Sequence, residues 1–206
     1  MDVKKLYEEG KYAEVISLLE KEETSELLAY SYQKNKQWEE AMNAWNAMII
    51  RHPNDASYYN ERGVCKFNLR FKHAIQDFDK AIELAPNNAY YYSCRAYIKD
   101  KTGDTEGSVT DYQKAYELDP NDAIVLNNLG LAEQKLGHTA KARERFKNSD
   151  DLLGIKTIDS RPDLTENGIG SKPAPMPPIQ KPTLWSEFKK MLSKDGFRDF
   201  LKDLKK

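Results

Sequence analysis

Small and apolar residues recur along the chain with a period of 33 or 34 residues, separated by polar positions. Within each copy they are spaced three, four or seven residues apart, which places them on one face of a helix. Each copy therefore predicts an amphipathic helix. The clearest copies are Ala74-x3-Phe78-x2-Ala81-x4-Pro86 and Ser108-x3-Tyr112-x2-Ala115-x4-Pro120, and the same frame fits Ala41-x3-Trp45-x2-Met48-x4-Pro53 and Ala142-x3-Phe146-x2-Ser149.

A second set of small residues lies upstream of each copy and predicts a partner helix. Two antiparallel helices approach closely only where a small side chain faces the partner. Three copies end at a proline, which lacks the N–H that a helix needs to continue, and an Asn or Asp after it can cap the next helix. The upstream small positions are Ala29, Gly63, Ala96 and Gly130, and the expected caps lie in Asn54-Asp55, Asn87-Asn88 and Asn121-Asp122.

This arrangement resembles the tetratricopeptide repeat, a 34-residue helix-turn-helix unit with the pattern W-x2-L-G-x2-Y, A-x3-F and P. The resemblance implies an all-α, right-handed helix-turn-helix solenoid of about five units, the first of them a rougher copy around Leu6, Tyr7 and Gly10. Val15 and Ala41 are only 26 residues apart, so the two helices between them must each lose about a turn. The expected array is residues 1–153, with units at 1–21, 22–55, 56–88, 89–122 and 123–153.

Composition agrees with a thin solenoid that exposes much surface. Charged residues make up 32% of the 206-residue chain, and the mean hydropathy is −0.80. No stretch approaches the roughly 18 apolar residues of a membrane span, and the N-terminus has no secretory signal pattern, so we expect a cytoplasmic protein. Cys65 and Cys94 lie 29 residues apart, so we expect reduced, packed thiols.

The composition changes after the array. Residues 154–182 are rich in proline and lack helical periodicity, so they predict an extended linker. Residues 183–206 then have the spacing of two short amphipathic helices. Residues 181–206 carry eight Lys or Arg against four Asp or Glu, a formal +4, whereas residues 1–153 carry 21 against 26, a formal −5. The predicted anchors of this tail are Leu184, Trp185, Phe188, Met191, Phe197, Phe200 and Leu201.

The tail cannot bury its aromatic rings by itself, so it predicts a docking surface. Three surfaces remain open. The tail can pack on its own array, where it would gate the groove; it can enter a groove of another protein; or its lysines and apolar face can meet an anionic membrane surface.

The resemblance also implies a working surface, because first helices line the concave groove in this family. The family's groove positions mix rings with amides here, which suits a peptide ligand. Transferred by register, these positions are Glu23, Glu26, Tyr30, Gln33, Ser57, Asn60, Val64, Phe67, Tyr90, Ser93, Tyr97, Asp100, Ile124, Asn127, Leu131 and Gln134. The candidate contact residues among them are Tyr30, Asn60, Val64, Phe67, Tyr90, Ser93, Tyr97, Asn127 and Leu131.

Other function classes find no support in the sequence. The slots with which similar proteins clamp acidic chaperone C-termini hold residues such as Glu26, Glu61 and Tyr90 here, so that role is not expected. No phosphate loop, nucleophile elbow or paired histidines at ligand spacing occur, so we expect no enzyme, no metal and no cofactor. Asp77 and Asp79 are expected on a solvated helix face. Acidic groove positions argue against nucleic acid.

The sequence therefore predicts a non-enzymatic scaffold or adaptor that binds a protein or peptide segment in its groove. Recruitment to a membrane surface through the tail, and gating of the groove by the tail, are the alternatives.

Overall fold

Ten α-helices make up the part of the chain that the computed structural model describes, which is residues 2–20 and 25–154. No strand occurs within these ranges. The helices are α1 (Val3–Glu8), α2 (Tyr12–Leu19), α3 (Glu26–Lys34), α4 (Trp38–Arg51), α5 (Ala56–Asn68), α6 (Ile75–Leu84), α7 (Ala89–Thr102), α8 (Thr105–Leu118), α9 (Ala123–Lys135) and α10 (Thr139–Leu153).

Each expected unit contains two helices, and each helix packs on the helices before and after it in the chain. This is the all-α repeat architecture that the sequence predicts. The shortening expected near the N-terminus is also present: α2 has 8 residues and α3 has 9, whereas α4 has 14. The first helix of each unit is therefore α1, α3, α5, α7 or α9.

The ends of the helices follow the predicted turn chemistry. The helices α4, α6 and α8 each end two residues before a proline. Asp55, Asn88 and Asp122 then accept hydrogen bonds from backbone N–H groups at the starts of α5, α7 and α9. The turn inside each unit contains a left-handed residue, and in units four and five this residue is a glycine, Gly103 (φ 98°) and Gly137 (φ 80°).

Small residues set the contact between the two helices of a unit. A Cβ atom on Gly63 would lie 2.9 Å from the ring of Phe78, and one on Gly130 would lie 2.7 Å from the ring of Phe146. Both distances are shorter than a carbon–carbon contact allows. The equivalent residues Ala29 and Ala96 are fully buried. The glycines therefore admit an aromatic ring against the backbone, as the repeat pattern predicts.

Units three and four share a buried ion-pair arrangement. In unit three, Arg62 donates to both oxygens of Asp77 at 2.7 and 2.8 Å, and Lys66 Nζ lies 3.0 Å from Asp77 Oδ2. The Asp77 side chain is only 5% exposed. The expectation that Asp77 lies on a solvated face was wrong, because two cations from α5 compensate its charge; Asp79, in contrast, is exposed.

The same arrangement recurs one period later, with Arg95 and Lys99 of α7 on Asp111 of α8. These arginines also reach back to the preceding unit. Arg62 donates to Asn46 Oδ1 at 2.9 Å, and Arg95 donates to Asp79 Oδ1 at 2.7 Å. Each arginine therefore joins its own unit to the one before.

The last unit holds the charges in reverse order. Glu133 occupies the slot of Lys66 and Lys99, and Arg145 occupies the slot of the two buried aspartates. The Arg145 Nε atom lies 3.7 Å from Glu133 Oε2, and Glu133 is 1% exposed. The ion pair is kept with its polarity exchanged between the two helices.

Candidate ligand-binding face

The first helices α1, α3, α5, α7 and α9 form one side of the array, called the first-helix face below. Contacts cross this face from unit to unit. Gln33 of α3 donates to Glu61 of α5, Tyr58 of α5 donates to Glu26 of α3 at 2.7 Å, and α5 touches α7 directly. Side chains from successive units therefore meet on this side of the array.

Most of the candidate contact residues lie at the boundary between core and solvent. Tyr97 is 44% exposed, and the others except Asn60 are half-buried. Side chains in this position can contact a ligand without leaving the fold. The half-buried candidates are Tyr30, Val64, Phe67, Tyr90, Ser93, Asn127 and Leu131. Their contact with a ligand stays a prediction.

Asn60 differs from the other candidates because it has no exposed surface. Its side-chain amide donates to Glu61 Oε1 at 3.3 Å. In this conformation Asn60 therefore supports the neighbouring carboxyl group, and it is not an open contact position.

Glu61 is the most unusual residue of the first-helix face. It is 3% exposed, and it accepts hydrogen bonds from the amides of Gln33 and Asn60 at 3.2 and 3.3 Å. Burial raises the pKa of the Glu61 carboxyl to about 7, although the two amide donors and Lys34 oppose the rise. A carboxyl group in this state is partly protonated near neutral pH.

Tyrosines from three helices lie close enough to Glu61 to respond to its charge. Burial raises the pKa of Tyr7, Tyr30 and Tyr90, and the negative charge of Glu61 adds to each rise. The ring of Tyr30 also packs edge-on against buried Trp45 at 4.9 Å between centroids. One acidic side chain of α5 therefore influences tyrosines of α1, α3 and α7. Tyr30, Gln33, Asn60, Glu61 and Tyr90 are called the Glu61 cluster below.

The C-terminal half of the first-helix face is more open. The Lys101 ammonium lies 5.3 Å from the centre of the Tyr97 ring, within the range of a cation–π contact. Lys135 of α9 donates to Asp100 Oδ2 of α7 at 2.5 Å and joins two units. The charges here are paired within the array, which leaves Tyr97 as exposed aromatic area.

The sequence analysis considered Glu61 only as a residue that departs from the chaperone-clamp pattern, because one glutamate among many charged residues looks like ordinary surface. Its position directly after the groove position Asn60 was the available signal. Gln33 was in the groove register but was not selected as a contact. Both are buried because α3 and α5 meet at this point, which a single-helix pattern does not reveal.

The described residues were also compared with the requirements of metal sites, membrane spans and reactive thiols. No group of three or more His, Cys, Asp or Glu there is arranged to hold a metal ion. Within residues 2–20 and 25–154, no helix has the length and apolar character needed to cross a membrane. Cys65 is a buried free thiol whose pKa burial raises to about 12, and Cys94 is half-buried. Two predictions concern residues that the structure does not describe. They are the linker at 154–182, from residue 155 onward, and the tail anchors at 184–201.

Family models agree with the repeat pattern. Models described as tetratricopeptide repeat match residues 26–55 and 56–88, and one described as TPR repeat matches residues 100–137. No curated protein matches the chain.

Solved structures share the architecture. A crystal structure of MamA is 20% identical with a TM-score of 0.62, and the match covers 75% of this chain and 96% of that one. MamA from Desulfovibrio magneticus RS-1, from residue 41 to its end, is 17% identical with a TM-score of 0.63, and the match covers 74% and 91%. At these identities the likeness concerns the fold alone.

Proposed function

The chain is a tetratricopeptide repeat protein, a class of protein-interaction scaffold, and from this premise we propose that its first-helix face binds a peptide or protein segment of a partner. The support is the placement of exposed and half-buried side chains along that face. Rings with two rotatable bonds lose little entropy on binding, so they make efficient contact area.

The strongest support for this proposal is the position of Tyr97. It is 44% exposed on α7, it lies one turn from half-buried Ser93, and the Lys101 ammonium lies 5.3 Å from the centre of its ring. A large ring that remains exposed on a face otherwise made of half-buried residues is typical of an interaction surface. The half-buried apolar residues Val64, Phe67 and Leu131 extend this area to α5 and α9.

The array offers a matched control for Tyr97. Phe71 is also aromatic and 51% exposed, but it lies in the turn between α5 and α6 and not on a first helix. We would select binders from a random peptide library on the full chain and measure their affinity by fluorescence anisotropy. Tyr97→Ala should weaken selected peptides about tenfold, the size of a modest hot spot, whereas Phe71→Ala should leave affinity unchanged.

Two results would contradict the proposal. One is a set of selected peptides whose affinity falls for Phe71→Ala and not for Tyr97→Ala. The other is a set of selected peptides whose affinity is unchanged both by Tyr97→Ala and by Leu131→Ala, a second substitution on the first-helix face.

A further inference from the structure

Units two and three are joined on the first-helix side by a buried link between an amide and an acid. The side-chain amide of Gln33 in α3 donates to the carboxyl group and to the backbone carbonyl of Glu61 in α5, at 3.2 and 3.3 Å, and lies 3.4 Å from Cys65 Sγ. Gln33 is 5% exposed and Glu61 is 3% exposed. A comparable link joins units four and five, but it is the Lys135–Asp100 ion pair, whose lysine side chain is 53% exposed. Of these two links, the one at Glu61 depends on an acid that is almost completely buried.

No ion pair joins Glu61 to a Lys or Arg among residues 2–20 and 25–154. Asp77 and Asp111 each contact an arginine and a lysine within 3.0 Å. Lys34 acts on the Glu61 carboxyl through its charge, and burial lowers the pKa of Lys34 itself. A buried carboxylate without an ion-pair partner costs free energy that a neutral carboxyl group does not. The ionised form of Glu61 is therefore the less stable state of this link.

Asn60 can serve both protonation states of Glu61. Its amide nitrogen donates to Glu61 Oε1 at 3.3 Å, and its oxygen is buried without a hydrogen bond. A half-turn of the amide exchanges these two atoms, so that the oxygen accepts from the O–H of a neutral carboxyl group. Gln33 has less freedom, because its nitrogen also donates to the backbone carbonyl of Glu61. Neutral Glu61 therefore has a hydrogen-bond partner on both sides and leaves no charge buried.

We propose that the Glu61 cluster is a proton-controlled latch between units two and three. With neutral Glu61 the latch is closed and α3 stays packed on α5, whereas with ionised Glu61 the first-helix side of this boundary opens to water more often. The opening is local, because Trp45 of α4 packs on Tyr58 of α5 at 5.7 Å between ring centroids and Asn46 of α4 accepts from Arg62 at 2.9 Å. The latch does not require that the first-helix face binds a peptide.

Proton linkage gives the direction and size of the effect. Burial raises the pKa of Glu61 from 4.5 to about 7 in the closed latch. Opening returns the carboxyl group to water, where its ordinary value of 4.5 applies. Between these two values each rise in pH favours the open form, and above about 7 the effect levels off. Raising the pH from 5.5 to 8.5 should therefore increase opening about thirtyfold.

The titratable groups in and around the latch either keep their charge over this pH range or can be substituted. Burial raises the pKa of the tyrosines and raises that of Cys65 to about 12, so these groups keep their protons. Asp77 is already paired with two cations. Glu26, Lys34 and His52 need variants of their own. The full set is Tyr7 of α1, Glu26, Tyr30 and Lys34 of α3, His52 after α4, Cys65 of α5, Asp77 of α6, and Tyr90 and Tyr91 of α7.

Amide hydrogen exchange of the full chain at pH 5.5 and 8.5 tests the latch, with each rate divided by the intrinsic rate at that pH. In the wild type, peptides of α3 and α5 should lose protection about thirtyfold at the higher pH, whereas peptides of α9 and α10 should keep theirs. Glu61→Gln stays neutral and should remove the loss. Glu83→Gln, which changes an exposed acid of the same unit, should retain it, as should Glu26→Gln, Lys34→Gln and His52→Gln.

Three results would overturn the proposal. One is equal protection of α3 and α5 at both pH values in the wild type. Another is a loss in Glu61→Gln as large as in the wild type. The third is an equal loss in all helices, because Glu61 would then act through global unfolding and not through one boundary.

The Cys65 thiol gives an independent readout, because it lies beside Gln33 and is fully buried. Its reaction with dithiodipyridine, relative to the chain unfolded in urea at the same pH, should become about thirtyfold faster between pH 5.5 and 8.5 in the wild type and stay constant in Glu61→Gln. Peptide mass spectrometry separates Cys65 from half-buried Cys94. Equal reaction at both pH values in the wild type would show that the boundary stays closed when Glu61 ionises, which contradicts the latch.

Discussion

Buried acids have different partners in the interior of the array and on its first-helix face. Asp77 and Asp111 lie between the two helices of their units, where an arginine and a lysine contact each carboxylate within 3.0 Å. Glu61 is as deeply buried, but its contacts are the amides of Gln33 and Asn60. Burial raises the pKa of Glu61 to about 7.

The difference teaches which buried charges the repeat architecture compensates. A buried charge costs several kcal/mol unless it is paired, and the repeat architecture compensates that cost twice in the same way at a spacing of 33 or 34 residues. At Glu61 no such compensation exists in the described array. Its ionised form therefore costs the fold free energy that the paired aspartates do not cost.

The largest effect is expected from Asp77→Ala. It leaves Arg62 and Lys66 facing each other in a part-buried site, and breaking such a pair should lower the free energy of unfolding by about 4 kcal/mol. Asp79→Ala is the control, because that residue is exposed and should cost about 0.5 kcal/mol. Urea unfolding followed by circular dichroism measures both. Equal costs would show that the interior network does not need its buried acid.

Glu61→Gln should act in the opposite direction and stabilise the chain at high pH. The folded-state pKa of Glu61 is raised from 4.5 to about 7, so its stabilising contribution is present below about pH 4.5 and is lost as the pH rises through 7. The advantage of Gln over Glu should therefore grow by about 3 kcal/mol between pH 4 and pH 8.

Urea unfolding of the wild type and of Glu61→Gln across this pH range gives the answer. A difference in the free energy of unfolding that stays constant with pH would mean that Glu61 has the same pKa in the folded and unfolded chains, which would contradict its contrast with the paired aspartates.

The smallest of the three effects concerns the reversed pair in unit five. Arg145→Met leaves Glu133 buried without its cation, and since the pair is already long at 3.7 Å we expect a loss of about 2 kcal/mol. Lys147→Met on the same helix is exposed and should change little. Thermal unfolding of both variants checks this. A neutral Arg145→Met would indicate that Glu133 does not depend on this partner.

The repeat period was sufficient to predict the ten helices of residues 2–20 and 25–154, the caps of α5, α7 and α9, and the close contacts within units. Gly63 and Gly130 face Phe78 and Phe146 as the pattern requires, because those contacts lie within one unit and repeat with it. Asp77 could not be placed correctly from the sequence. Its partners Arg62 and Lys66 are 15 and 11 residues away on another helix, and the pattern of a single helix gives no sign of them.

The sequence predicted which positions lie on the candidate face, but it did not predict how deeply each side chain is buried. The family register located Tyr97, which is exposed, and also Asn60, which is buried. Glu61 was missed because its environment is made by three other helices, and the depth to which those helices bury it depends on how the units stack. Periodicity identifies the side of a helix, but it does not give the distance to the next unit.

The pKa of Glu61 tests the central claim most directly, and carboxyl carbon NMR of the glutamate-labelled full chain measures it, with Glu61→Gln assigning the signal. Glu61 should titrate near 7, above its ordinary value of 4.5. A pKa near 4.5 would contradict the contrast between this buried acid and the paired aspartates.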